Sequence, residues 1–319
     1  MNEALIDLRA WCQFVAVAEE LHFGRAALRL HMTQPPVTQA IAQLEKTLGV
    51  VLFDRTRRRV ALTPAGEALL PDVRELLARA QALPARARAA AAGQVGRVRI
   101  AFVSTVGFEQ LPAWVREFRV LCPEVALELV EATGDVQLEA FARGEIDAGL
   151  MLHSPGAAPP GLTRLAVSEE PLVLALPARH ALARTEKLLL ADVLAEPLVI
   201  FPRRIVPSLH DAIFGLYHAA GRVPQLAQEA IQMQTIVNLV SGDIGVAWVP
   251  ESVTQFRRAG VVYRRAAEFA PAARRRSAPV LPVCETSLVW PEGANNPALA
   301  RFVAFVRERG ASRKEGVVE

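Results

Sequence analysis

A chain of 319 residues, 52% hydrophobic and 22% charged, has the profile of a globular protein with two or three domains and ample core. No run approaches the ~18 apolar residues of a membrane helix. The first residues, with Asp7, Glu19 and Glu20, lack the basic-then-apolar order of a signal peptide, so a cytoplasmic protein with no membrane partner is expected. The net charge of +3 resides wholly in residues 1–92, which hold 12 Lys/Arg against 9 Asp/Glu, as suits a nucleic-acid-facing head on a neutral body.

Leu8, Trp11, Val15 and Ala18 recur at helical spacing and predict a helix over residues 7–20. A second, shorter helix follows with Phe23, Ala26, Ala27 and Leu30 on one face, then a break at His31-Met32. Thr33 is placed to cap a third helix, whose first turn accepts Pro35 and Pro36 because those N–H groups would be unbonded anyway. Val37, Ile41, Leu44 and Leu48 form its apolar stripe, and Gly49 stops it. Its other face offers Pro35, Thr38, Gln39, Ala42, Gln43 and Lys46. Gln can pair with adenine, and Ala or Pro with a thymine methyl, so this face suits a major groove as well as it suits plain solvent. Residues 50–53 and 60–62 read as short strands around Arg55, Arg57, Arg58 and Arg59, a wing able to follow phosphates.

Thr63 can cap a helix opening at Pro64, in which Leu69, Val73, Leu76, Ala80, Leu83 and Ala87 repeat with heptad-like spacing. Such a seam buries itself against a second copy or against its own domain. Pro71 and Pro84 predict kinks and a shortened end.

Strands at 98–103, 125–131 and 146–152 alternate with helices at 112–121 and 137–143, which predicts a parallel sheet. A second run gives strands at 172–177, 198–201 and 245–249 with helices at 209–220 and 234–241, before a strand at 287–290 and a closing helix at 297–309. Ligands in such sheets bind beyond the carboxyl ends of strands, at helix N-termini. Ser104, Thr105, Thr133 and Ser208 occupy such loops, and their hydroxyls suit a carboxylate or a helix cap equally. Arg203 and Arg204 would add a bidentate cation. Cys12, Cys122 and Cys284 and the six scattered histidines show no ligand spacing, so neither metal nor cofactor is expected, and no catalytic motif is present.

The run from Phe14 to Gly66 resembles the winged helix-turn-helix of the LysR-type transcriptional regulators. Gln34-Pro35-Pro36, Leu52-Phe53-Asp54-Arg55 and Leu62-Thr63-Pro64-Ala65-Gly66 carry the likeness. The resemblance implies an α/β protein with an α-rich head: a DNA-binding domain over 1–63, a dimerising linker helix over 64–92, and a two-lobed effector domain like a type II periplasmic binding protein. Lobe I would hold 93–165 and 267–319, and lobe II 166–266. Promoter DNA would meet Thr33, Gln34, Pro35, Thr38, Gln39 and Gln43 with the wing arginines, Gln39 standing where many members carry Arg. Leu69, Val73, Leu76, Ala80 and Leu83 would pair two copies, joined further into tetramers, and RNA polymerase is an implied partner. In Phe102–Pro112, Glu128–Gln137, Gly144–Gly149, Phe201-Pro202-Arg203 with Pro207-Ser208, and Val240–Pro250 the body is most similar to regulators sensing muconate or benzoate. That likeness implies a small carboxylate effector at Thr105, Thr133, Gly134, Pro207, Ser208, Leu209 and Met233, to which the loop reading adds Ser104 and Arg203. Thr133-Gly134 inverts the order in those relatives, and Leu152 replaces an Arg. The alternative to a regulator is a cytoplasmic solute-binding-like protein without DNA function.

Overall fold

Asp7 opens α1 (Leu8–Glu20) by accepting a bond from the Arg9 N–H at 2.9 Å. The computed structural model describes residues 6–55, 59–108, 110–270 and 280–315. The chain divides at Arg88 into two compact units. In the first, α2 (Phe23–Arg29) is capped by His22, whose Nδ1 accepts the N–H groups of Gly24 and Arg25. His31 turns left-handed at φ 54°, and α3 (Gln34–Leu48) begins. Thr33 sits at the cap position but makes no side-chain capping bond, unlike the cap expected of it. Gly49 ends α3 at φ 71°, where a side chain would be strained.

Phe14, Val17, Ala26, Val37, Ile41 and Phe53 are fully buried and close one core around which the three helices pack. Burying each of the larger side chains among these contributes about 1.5–3 kcal/mol. The wing is the antiparallel pair β1 (Phe53–Arg55) and β2 (Val60–Leu62), with Phe53 opposite Leu62. Residues 50–52, expected in the strand, lie outside it.

The helix α4 (Pro64–Ala91) starts where the Thr63 hydroxyl accepts the Gly66 N–H. Gly66 is required there, because a Cβ would come within 2.4 Å of the Leu52 carbonyl oxygen. The helix continues through Pro71 and Pro84 and is not shortened. Both prolines are exposed, so water can satisfy the bonds they remove.

In the second unit, β3 (Gly96–Phe102) runs parallel to both β4 (Val125–Glu131) and β5 (Ala148–His153), with α5 (Gln110–Leu121) and α6 (Gly134–Ala142) as crossovers. The remaining pairings of this sheet correct the expected parallel sheet to a mixed one. β6 (Leu162–Pro177) and β11 (Val283–Pro291) are antiparallel to each other, and β11 is antiparallel to β5. Residues 162–171 of β6 pair with β11, while its last residues pair with β9 (Ala247–Pro250) on one side and β10 (Val261–Arg264) on the other. One strand thus serves two layers of pairing, and its partners change at Pro171/Leu172.

Between these strands lie α7 (Leu190–Val193), β7 (Leu198–Ile200), α8 (Pro207–Ala219), β8 (Leu226–Glu229) and α9 (Met233–Ser241), with β7 parallel to β8. The chain closes with α10 (Pro297–Glu315) against β3 and β6. A continuous apolar core joins these layers, from Val98 and Ile100 to Leu174, Leu209, Val237 and Phe302. Among the described residues no helix is long and apolar enough to cross a membrane.

Candidate DNA-reading head and ligand cleft

Burial of Val37, Ile41 and Leu44 turns the opposite face of α3 outward. Gln34, Pro35, Gln39 and Gln43 are exposed on the helix, and Thr33 just before it. Thr38 is half-buried, and its hydroxyl donates to the Gln34 carbonyl at 3.1 Å. The helix therefore presents amide side chains that make no hydrogen bond among the described residues.

Glu45, on the same helix, is a residue that the sequence pattern does not single out. Its Oε1 accepts the N–H groups of Leu52 (2.9 Å) and Phe53 (3.1 Å), and its Oε2 accepts from the Arg55 guanidinium (2.7 Å). Arg55 also lies 5.0 Å over the Phe23 ring. One carboxylate thus ties α3 to the wing, and Arg55 is held by α3 and α2. Arg55 was expected on phosphates; here its charge is committed within the head. Arg59 is exposed, and Arg57 and Arg58 lie outside the described residues.

The linker seam is also reassigned. Val73 is 3% exposed and packs with Leu69, Leu70 and Leu77 into the core of the head. Leu76 and Leu83 remain exposed, with Ala80 half-buried, because a helix lying on its own domain turns only part of its stripe outward.

In the second unit a small cavity of about 30 Å³ lies between the ends of β3 and β4 and the segment from Phe201 to Met233. Ser104, Thr105, Thr133 and Met233 line it, with apolar walls from Val103, Leu152, Phe201, Ile205 and Val206. Thr105 is 5% exposed and its Oγ1 has no hydrogen-bond partner. An unpaired buried hydroxyl is costly in a finished core, and Thr105 also borders a second small pocket with Ser168, Glu170, Ser252 and Thr286.

The other expected site residues divide. Gly134 stands in a separate cavity of about 280 Å³ with Pro207 and Ser208. Its missing side chain is structural, since a Cβ there would come within 2.7 Å of the Ile205 carbonyl oxygen. The Ser208 hydroxyl accepts the Ser154 N–H at 3.0 Å, and the Thr133 hydroxyl donates to Asp135. Leu209 is fully buried core. Arg203 lines neither cavity: it pairs bidentately with Asp211 at 2.7 and 2.8 Å and holds that carboxyl below its ordinary value. Arg204 sits 3.4 Å from Asp135. Arg203 is thus committed to Asp211, whereas Arg204, exposed, lines the larger cavity.

His153, next to the Leu152 that replaces an Arg, lines the larger cavity and lies beside Glu285. It is 2% exposed, with Nε2 3.7 Å from Glu285 Oε1, which also receives Arg164 at 2.8 Å and the Ser287 hydroxyl at 2.7 Å. Burial pushes the Glu285 carboxyl up, but Ser287, His153, the Gly156 N–H and Arg164 together hold it below the ordinary range.

Two family models match this chain. Residues 8–67 match the bacterial regulatory helix-turn-helix protein of the lysR family, and residues 91–311 match the LysR substrate binding domain. The chain belongs to the LysR family. Its relatives include the HTH-type transcriptional regulator IlvR of Caulobacter vibrioides, 42% identical over 96% of this chain and 99% of that one. AlsR of Bacillus subtilis is 39% identical over 82% and 85%. Full-length CbnR, solved in complex with its target DNA, superimposes with a TM-score of 0.76 at 31% identity, covering 95% of this chain and 99% of that chain. The LysR-type regulator read from the head is thereby established, as is the combination of helix-turn-helix with substrate-binding domain.

Proposed function

We propose that this LysR-type regulator binds promoter DNA through α3 as a self-associated dimer or tetramer, and that a small molecule in the Thr105 cavity alters its action there. The observation that carries the reading is the outward row Gln34, Pro35, Gln39 and Gln43 on a helix whose other face is wholly committed to core. CbnR, of the same architecture, was solved on its target DNA, which supports the same use of this head. Thr33, Thr38, Arg59 and the arginines at 57 and 58 are the further contacts we assign to DNA. Leu76, Ala80 and Leu83 are the residues we assign to pairing. We keep the lobe division of 93–165 with 267–319 against 166–266, a cytoplasmic location, and contact with RNA polymerase as parts of this proposal.

The test is titration of a fluorescent promoter fragment at several salt concentrations. Specific binding with a steep salt dependence is expected, because phosphate contacts release counterions. Gln39→Ala should lower discrimination between cognate and mutated sites by roughly 1–3 kcal/mol, the cost of one base-edge pair. Equal loss on every DNA sequence would remove Gln39 from base reading, and no preference in the wild-type chain would sink the proposal.

A further inference from the structure

The Thr105 cavity contains no Lys, Arg or His; its charged lining residue is Glu131. The Glu131 side chain, exposed to solvent at the end of β4, makes no hydrogen bond or ion pair with any described residue. It and Ser104 also line the open groove of about 760 Å³ beside the cavity, so they stand where the two spaces meet. Gln234 lines that groove as well, and its Oε1 is buried without a partner. The groove's own cations, Arg116 and Arg119, belong to α5.

At this junction an anion would meet the Glu131 carboxylate and the Gln234 amide oxygen, with Arg116 and Arg119 on the α5 side of the groove as its only cations among the described lining residues. A ligand ammonium reverses the sign. It brings three donors, and Glu131, Gln234 Oε1 and the Ser104 hydroxyl are three acceptors. An anionic group still has a place on the other side. The Thr105 hydroxyl is unpaired, and the nine-residue α9 starts at Met233 without a side-chain cap, leaving its first N–H groups to a ligand. Val103, Leu152, Phe201, Val206 and Met233 leave the rest of the site apolar.

We propose that the effector is a zwitterion, an α-amino acid with a small apolar side chain, its ammonium on Glu131 and its carboxylate on Thr105 and the start of α9. This rests on the reading of the cavity as the effector site. As it stands the cavity has about 30 Å³, so its walls part to admit the ligand.

The experiment is calorimetry on the full-length protein with L-valine, L-leucine, L-methionine and L-phenylalanine, each beside the 2-oxo acid that lacks only the ammonium, and with benzoate. At least one amino acid should bind about tenfold or more tighter than its 2-oxo partner, as a charge-assisted contact requires. Glu131→Gln should erase that preference while leaving the 2-oxo acid unweakened. The proposal is overturned if no amino acid binds, if the 2-oxo acids or benzoate bind equally or better, or if Glu131→Gln leaves the preference intact. Thr105→Val separates the two readings. Benzoate or 2-oxo acid binding that Thr105→Val weakens would keep the cavity as the site and discard the zwitterion, whereas binding indifferent to both substitutions would discard the cavity too.

Discussion

Glu45 does with one carboxylate what usually takes several side chains. It accepts two backbone N–H groups of the segment entering the wing and also neutralises Arg55. Glu45→Gln keeps an amide oxygen for the backbone bonds and releases the guanidinium. The head should lose about 1–2 kcal/mol of stability, the scale of a charge-assisted bond. The freed Arg55 should then reach phosphate, raising the salt slope of DNA binding by about one. A mutant with lower thermal stability and an unchanged slope would mean that Arg55 either already touches DNA or never does. Residues of this kind are hidden in the sequence. Gln39 and Gln43 announce themselves by facing away from an apolar stripe, but the importance of Glu45 lies in what meets it seven to ten positions later. Thr105 lies between these cases: its loop is legible from the strand before it, and its lack of a partner is not.

Elements were legible where one apolar period had one explanation. α1 to α3 and the strands β3 to β5 follow from spacing to within a few residues. The linker helix is where a single period had two. Leu69 and Val73 satisfy a heptad equally well against a second copy or against the head, and the head takes them. The paired surface is then left to the outer part of the stripe. Leu76→Asp with Leu83→Asp should shift sedimentation toward monomer and abolish operator binding, because charges would be buried in the interface. An unaltered sedimentation profile would place self-association elsewhere on the chain. Val73→Asp is the uninformative choice, since it would unfold the head first. β6 escaped notice over its first half for a related reason. Arg164, Ser168, Glu169 and Glu170 break the alternation, and their place in a sheet makes sense only once β11 and the Glu285 cluster are known.

At the scale of the molecule, that cluster links stability to pH. The folded-state pKa of Glu285 is depressed, so its contribution is present above the pKa of the unfolded chain and is lost as pH falls through the folded value. Denaturant unfolding of the full-length chain, followed in the signal of the second unit, should show stability falling as pH drops through and below the ordinary glutamate range. Glu285→Gln should flatten that slope, and an equal slope in the variant would assign the acid sensitivity to another carboxylate, such as Asp147 beside Arg99.

The long strand β6 has a consequence for how this unit can change shape. Two layers that shared only loops would swing like a door on a pin. Here one sixteen-residue strand, bulged against β11 at Val167, runs from one set of partners to the other, with the change of partners in mid-strand. Such a member is expected to act as an axle, because bending it breaks ladder bonds to β11, β9 and β10 that a twist can keep. If the proposed effector parts the cavity walls, the expected response is a turn of one layer against the other about this axis, with its largest displacement at the rim, far from the ligand.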